Sequence, residues 1–219
     1  MILRPSSQSR RALLQRATRE YADQLASDQA TSAYLEGRGL LHSAEMLGLG
    51  VVRSPLPGHD QYAGRLAIPY IGPRGNVYDI RYRCLEDHVC KDVGCPKYLG
   101  DAGVETRLYN TRSLVAATDY ILIAEGELDA ATLLACGWPA VGVPGANSWK
   151  RHRPKMFDGF SRVIVLGDGD EAGRKFVATV TKTLLSARGV IMCAGEDVNS
   201  TYVSGGREAL VDLLREESE

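Results

Sequence analysis

The spacing of hydrophobic positions along this chain changes near residue 118. In the first 30 residues, Leu13, Leu14, Ala17, Tyr21 and Leu25 fall on one helical face with arginines between them, which predicts an amphipathic helix. Residues 32–40 predict a second, short helical piece that ends on glycine. Alternating positions begin near Arg65, so residues 66–71 and 77–83 predict two strands joined by the turn Gly72-Pro73-Arg74-Gly75-Asn76. Residues 84–107 are irregular and rich in charge, cysteine and glycine. Beyond residue 118, apolar runs at 120–124, 140–143, 162–167 and 189–193 alternate with helical text. The first helix, 128–136, is stopped by Gly137 and Pro139. The run 140–143 leads into a turn at Pro144-Gly145-Ala146-Asn147. The helix after residue 170 carries Phe176, Val177, Val180, Leu184 and Leu185 on its apolar face. Strand–helix alternation of this kind predicts an α/β fold with a parallel sheet flanked by helices, binding ligands at the carboxyl ends of its strands. A smaller mixed α+β subdomain, residues 1–115, is expected before an α/β domain of residues 116–219.

Composition narrows the class of partner. The 219 residues are 44% hydrophobic with a formal net charge of −1, so there is no global basic signal for nucleic acid. The halves differ, at net +3 for residues 1–115 and net −4 for residues 116–219, which permits a basic groove on one and an acidic metal site on the other. No apolar run approaches a membrane span and no signal-peptide core is present, so a cytoplasmic protein without membrane contact is expected. Five cysteines, with Cys136 and Cys193 in apolar segments, argue for a reducing compartment.

The chemistry concentrates where strands end. Glu125 follows the first strand of the second half, Asp168 and Asp170 follow the third, and Glu196 and Asp197 follow the fourth. Parallel strands bring those ends to one edge, where clustered carboxylates repel unless a cation relieves them. A hard ion such as Mg²⁺ binds through a few carboxylates and substrate phosphates. Two other readings compete. Any one of these acids could simply cap a helix N-terminus, although three acidic strand ends together weaken that explanation. Gly167-x-Gly169-x-x-Ala172 matches the dinucleotide fingerprint in form, but Asp168 and Asp170 would oppose a pyrophosphate without a metal. Phosphate chemistry through metal is the stronger reading. No Walker A string and no Gly-x-Ser-x-Gly elbow occurs.

Taken in order, these residues resemble a family. Glu125-Gly126 followed by Asp129, then Asp168-Gly169-Asp170-Glu171-Ala172-Gly173-Arg174, then Asp197-Val198-Asn199 resembles the three-part Toprim signature, and the middle string is similar to its DnaG-type primase branch. Upstream, Tyr34-Leu35-x-x-Arg38-Gly39-Leu40 resembles the opening helices of the DnaG-type catalytic core. Gly64-Arg65-Leu66-x-Ile68-Pro69, Gly75-Asn76-Val77, Arg83, Pro96-Lys97-Tyr98-Leu99 and Leu108-Tyr109-Asn110 resemble its basic subdomain. The resemblance implies a Toprim fold and a primase core that joins nucleotides into short RNA primers on single-stranded DNA. It implies that Glu125, Asp168 and Asp170 are catalytic, and that these three with Asp197 hold two or more Mg²⁺ or Mn²⁺ ions. Arg65, Arg83, Lys97 and Tyr98 would contact template, primer or nucleoside triphosphate, and a replicative helicase is the implied partner, in a bacterial host cell.

The sequence departs from the family's pattern at Gly100, where the family has Asn, and at Asn199, a neutral ligand at best where the family has an acid. It has room for neither the zinc ribbon nor the helicase-binding domain of full-length bacterial primases, which suggests a minimal core of the kind bacteriophages encode. Cys84, His88, Cys90 and Cys95 offer four zinc ligands, but the one-residue gap between His88 and Cys90 suits a tetrahedral site poorly. That spacing argues for free thiols in a mobile basic loop ahead of structural zinc. A Toprim nuclease or phosphodiesterase, and a non-catalytic DNA-binding accessory protein, remain as alternative functions.

Overall fold

The structure, a computed structural model, describes residues 7–216 apart from 102, 118, 146 and 147. The turn expected at Ala146 and Asn147 therefore lies outside the described residues. The chain divides into two compact units, the first made of residues 7–37 and 41–104, the second of Arg38–Leu40 and the residues from Glu105 onward.

The first unit begins with helix α1 (Gln8–Leu25), capped by the Ser7 side chain accepting from the Arg10 amide at 3.2 Å. The helix stops at Leu25 rather than running through residue 30. Asp28 begins a new one, α2 (Gln29–Gly37), by accepting the Thr31 amide at 2.7 Å. A short helix α3 (Ala44–Leu47) leads to the strands β1 (Gly50–Val51), β2 (Leu66–Ile71), β3 (Val77–Arg83) and β4 (Tyr98–Leu99). These form one antiparallel sheet in the order β1-β2-β3-β4. Leu14, Ala17 and Tyr21 of α1 bury their shared face against Val77, Ile80 and Tyr82 of β3, as the helical spacing of those positions requires.

The second unit contains α4 (Ser113–Ala116), β5 (Tyr120–Ala124), α5 (Glu127–Ala135), β6 (Ala140–Gly142), β7 (Arg162–Gly167), α6 (Glu171–Thr181), β8 (Ala187–Ile191) and α7 (Val198–Glu216). Helix α7 is interrupted at Gly206, whose φ of 69° is not helical. The four strands are all parallel, in the order β6-β5-β7-β8. Residues Ile121, Leu122, Ile123 and Ala124 are completely buried, as expected of a parallel strand covered on both faces. The chain leaves β5 in one direction for β6 and then returns past it for β7 and β8. Right-handed crossovers in opposite directions put α5 and α6 on opposite faces of the sheet. Phe176, Val177 and Val180 of α6 join the core under Val163 and Val165 of β7. Leu185, expected on that helical face, lies past the end of α6 and is fully exposed. Among the described residues no helix is long and apolar enough to cross a membrane.

Candidate active site

Strand order decides where chemistry can sit in the second unit. The order of connection reverses between β5 and β7, and a crevice forms beyond the carboxyl ends of parallel strands at such a switch point. Ala124 pairs with Leu166, so Glu125 and the residues just after β7 leave neighbouring strands at nearly the same level. The segment after β8 folds back over this edge. Gly169 donates its amide to the Glu196 carbonyl at 2.8 Å and accepts from the Gly195 amide at 3.1 Å. The structure thus gathers Glu125, Asp168, Asp170 and Asp197 at one end of the sheet.

The glycines of the Asp168–Arg174 string serve close approach. A Cβ on Gly169 would stand 1.7 Å from the Cys193 carbonyl oxygen, and one on Gly173 would stand 2.1 Å from that of Asp168. Both contacts are with backbone, so no side-chain rotation relieves them. Glycine here lets the loop after β7 nest against the loop after β8.

Helix capping and the acid cluster coexist. Oδ1 of Asp170 accepts the Gly173 amide at 2.7 Å at the start of α6, and Oδ1 of Asp197 accepts the Ser200 amide at 2.6 Å at the start of α7. Two helix N-termini therefore face the acidic edge and offset part of its negative charge. Glu196 is turned aside, its Oε2 accepting from the Thr201 hydroxyl at 3.1 Å.

Asp129, named in the sequence pattern without a role, is the buried member of the group. Burial pushes its carboxyl up to about 8, and the charges of Asp197 and then Asp168 add to the effect. Its Oδ1 accepts the Asn199 amide at 3.1 Å, joining α5 to α7. The Asn199 side chain is itself spent within the protein. Its Nδ2 donates to the Arg38 carbonyl and to Thr132 Oγ1, both at 2.9 Å, while Oδ1 accepts from Arg38 Nη1 at 2.9 Å. Asn199 thus acts as a tie that holds Arg38 and the start of α7, and these bonds leave its amide little capacity as a ligand. The link spans 161 residues of sequence, which is why local pattern gave no sign of it.

The proposed nucleic-acid contacts all fall in the first unit. Arg83 and Tyr98 are opposite one another on β3 and β4, and Arg83 Nη1 donates to the Tyr98 hydroxyl at 2.6 Å. Arg81 lies two residues along the same face, its guanidinium 5.0 Å from the centre of the Tyr98 ring. Lys97 is exposed beside them, and its carbonyl accepts the Cys84 amide at 2.9 Å. Arg65 turns towards the β3–β4 connection, donating to the Pro96 carbonyl at 2.8 Å with its second nitrogen 3.4 Å from Cys95 Sγ.

That connection brings Cys84, His88, Cys90 and Cys95 together, with one ligand atom from each within 4.8 Å of the others. Spacing alone argued against such a grouping. The turn closed by the Cys95 amide on the Cys90 carbonyl at 2.9 Å, and the strand pairing that brings Cys84 beside it, supply what the spacing lacks. Among the described residues, no group of three or more carboxylates meets the same distance test. The described acids of the second unit thus share an edge without forming a three-membered group of that kind.

No family model matches the sequence. The chain is 47% identical over 157 residues to the Gene 57 protein of Mycobacterium phage D29, an alignment that covers 70% of this chain and 99% of that protein. It is 28% identical over 207 residues to the DNA primase of Aquifex aeolicus, covering 89% of this chain but 39% of the bacterial protein. Against the RNA polymerase domain of Mycobacterium tuberculosis primase DnaG, solved in complex with double-stranded DNA, the TM-score is 0.76 at 22% identity, over 95% of this chain and 81% of that one. That likeness is one of fold: it carries the parallel sheet, the antiparallel sheet and their order in the chain. Together with the ordered motifs and the phage relative matched along nearly its whole length, it shows that the chain belongs to the family of DnaG-type primase catalytic cores.

Proposed function

We propose that the chain is a primase catalytic core that makes short RNA primers on single-stranded DNA by metal-dependent nucleotidyl transfer. The observation that supports this reading is the carboxyl edge of the parallel sheet, to which three strand ends each bring an acid, with Asp129 buried behind them and its carboxyl pushed up to about 8, first by burial and then by Asp197 and Asp168. An all-oxygen donor set with like charges on one edge suits a hard divalent cation. Glu125, Asp168, Asp170 and Asp197 would hold Mg²⁺ or Mn²⁺, two ions or more. When bound, such ions neutralise charge on the triphosphate and favour ionisation of the attacking 3′-hydroxyl.

The chain's own groups supply the rest. Asp170 and Asp197 each commit one oxygen to a helix cap, which fixes the direction of the other. Asp129 and Asn199 act as positioning residues, because they hold α5, α7 and Arg38 behind the acids. On the antiparallel unit, Lys97 and Arg83 would place phosphates without reading sequence, and the Tyr98 ring would offer a face to a base. Arg65, which braces the Pro96 carbonyl, would act on nucleic acid mainly by orienting Lys97 and Tyr98. A replicative helicase in the cytoplasm of a bacterial host is the partner this reading carries with it. The chain spans 39% of the length of the Aquifex primase, so the activity of that whole protein is brought to this chain as part of the proposal.

The test is primer synthesis on single-stranded DNA with labelled nucleotides and Mg²⁺ or Mn²⁺, beside the double variant Asp168→Asn with Asp170→Asn. Labelled oligomers that disappear in the variant are expected. Template degradation without synthesis would instead identify a nuclease, and tight DNA binding without turnover an accessory protein.

A further inference from the structure

The β3–β4 connection is ordered without a core of its own. From Cys84 to Tyr98 no residue is buried: Leu85 is half-buried, and Val89 and Val93 are 65% and 61% exposed. A connection of this length with neither regular structure nor a buried apolar residue needs another source of cohesion. The groups that do converge are three thiols and one imidazole. Cys84 Sγ lies 3.6 Å from Cys95 Sγ and 3.8 Å from His88 Nε2, and all four ligand atoms fall within 4.8 Å of one another. Tetrahedral zinc, with bonds of about 2.3 Å to sulfur and 2.0–2.1 Å to nitrogen, sets its ligand atoms roughly 3.5–3.8 Å apart. The two separations are close to that span. They are far too long for a disulfide, whose sulfurs stand about 2.05 Å apart.

We infer that Cys84, His88, Cys90 and Cys95 form a structural zinc site inside the antiparallel unit. The donor set selects the metal. Soft thiolates exclude Mg²⁺ and Ca²⁺, and an iron–sulfur cluster ordinarily takes four cysteines, whereas three cysteines and one histidine are a closed structural zinc set. Charge agrees as well. Zinc with three thiolates and a neutral imidazole carries a net charge of −1, and the Arg65 guanidinium stands 3.4 Å from Cys95 Sγ while also bracing the Pro96 carbonyl. That is the outer partner such a site needs, an N–H directed at a ligating sulfur. The ion would close the connection on both sides, at the end of β3 through Cys84 and just before β4 through Cys95. It would thereby fix the strand that carries Tyr98. The site is separate from the carboxylate edge and stands whether or not the chain makes primers.

Metal analysis of the full chain, purified under reducing conditions and dialysed without chelator, tests it. One zinc per chain is expected, falling below about a tenth of that in Cys90→Ser and in Cys95→Ser, while Arg65→Ala binds roughly tenfold more weakly. If the serine variants fail to fold, cobalt exchange into the unaltered chain keeps the test decisive, because a thiolate-ligated tetrahedral ion gives intense visible bands and thiolate-to-cobalt charge transfer. Zinc well below one equivalent overturns the site. So do zinc unchanged in both folded serine variants, a cobalt spectrum of octahedral weakness, and a Cys84–Cys95 disulfide in the reduced preparation.

Discussion

In the parallel sheet, Glu125 and Asp168 leave adjacent strands within two residues of the matched pair Ala124 and Leu166, so backbone pairing brings both to the same edge. In the antiparallel unit, Arg83, Tyr98 and Arg65 are held by one another, by the Pro96 carbonyl and by the Cys84–Cys95 connection. The first site is placed by topology and the second by side chains. The contrast teaches where each is vulnerable. Changes to backbone packing should damage the acidic edge, and loss of a side chain or an ion should damage the basic face.

The largest expected effect is a pH dependence. Asp129 is raised from an ordinary carboxylate value to about 8 in the folded chain. Its contribution to stability is therefore fully present below the unfolded value near 4 and is lost as pH rises towards 8, an upper bound on the order of 5 kcal/mol. In chelator, urea denaturation of the unaltered chain should weaken across that window relative to Asp129→Asn, which still accepts the Asn199 amide but does not titrate. Parallel pH profiles for the two proteins would show that folding does not raise the Asp129 carboxyl.

Next in size is Gly169→Ala, which would bring Cβ against the Cys193 carbonyl. A loss of about 3 kcal/mol is expected, whereas Gly159→Ala, with open space around it, should change little. Equal midpoints in denaturant for both variants would mean the two loops are not nested. Asn199→Ala should cost about 2 kcal/mol, since Arg38, Thr132 and the neighbouring amide network lose buried partners. A thermal melt indistinguishable from the parent would remove Asn199 as a tie.

The smallest effect is expected on the basic face. Lys97→Ala should weaken single-stranded DNA binding a fewfold at low salt and reduce the slope of log affinity against log salt by about 1. An unchanged slope would take Lys97 out of phosphate contact.

How far these features could be read from sequence follows the same contrast. The fully apolar run at β5 and the run ahead of Asp168 at β7 announced buried parallel strands, and the positions of Glu125 and Asp168 after them located the acidic edge. Strand pairs β2 and β3 were legible for a similar local reason, alternation around a glycine-rich turn. The two-residue strands β1 and β4 were not, because two positions carry no period. The break between the first two helices was legible but placed a few residues late, because the Asp28 cap that sets it interrupts an otherwise helical pattern. The role of Asn199 and the grouping of the cysteines depend on contacts made only after folding, across 161 residues in one case and through a strand pairing in the other. Residue types pointed to the chemistry in both places, but spacing did not place the partners.

The central claim is that the carboxylates at the end of the parallel sheet make one cation site. Manganese binding, followed by electron paramagnetic resonance on zinc-replete protein, tests it most directly. Saturable binding in the unaltered chain, lost in Asp168→Asn with Asp170→Asn and competed by magnesium, is the predicted result. The same manganese occupancy in both proteins would contradict it.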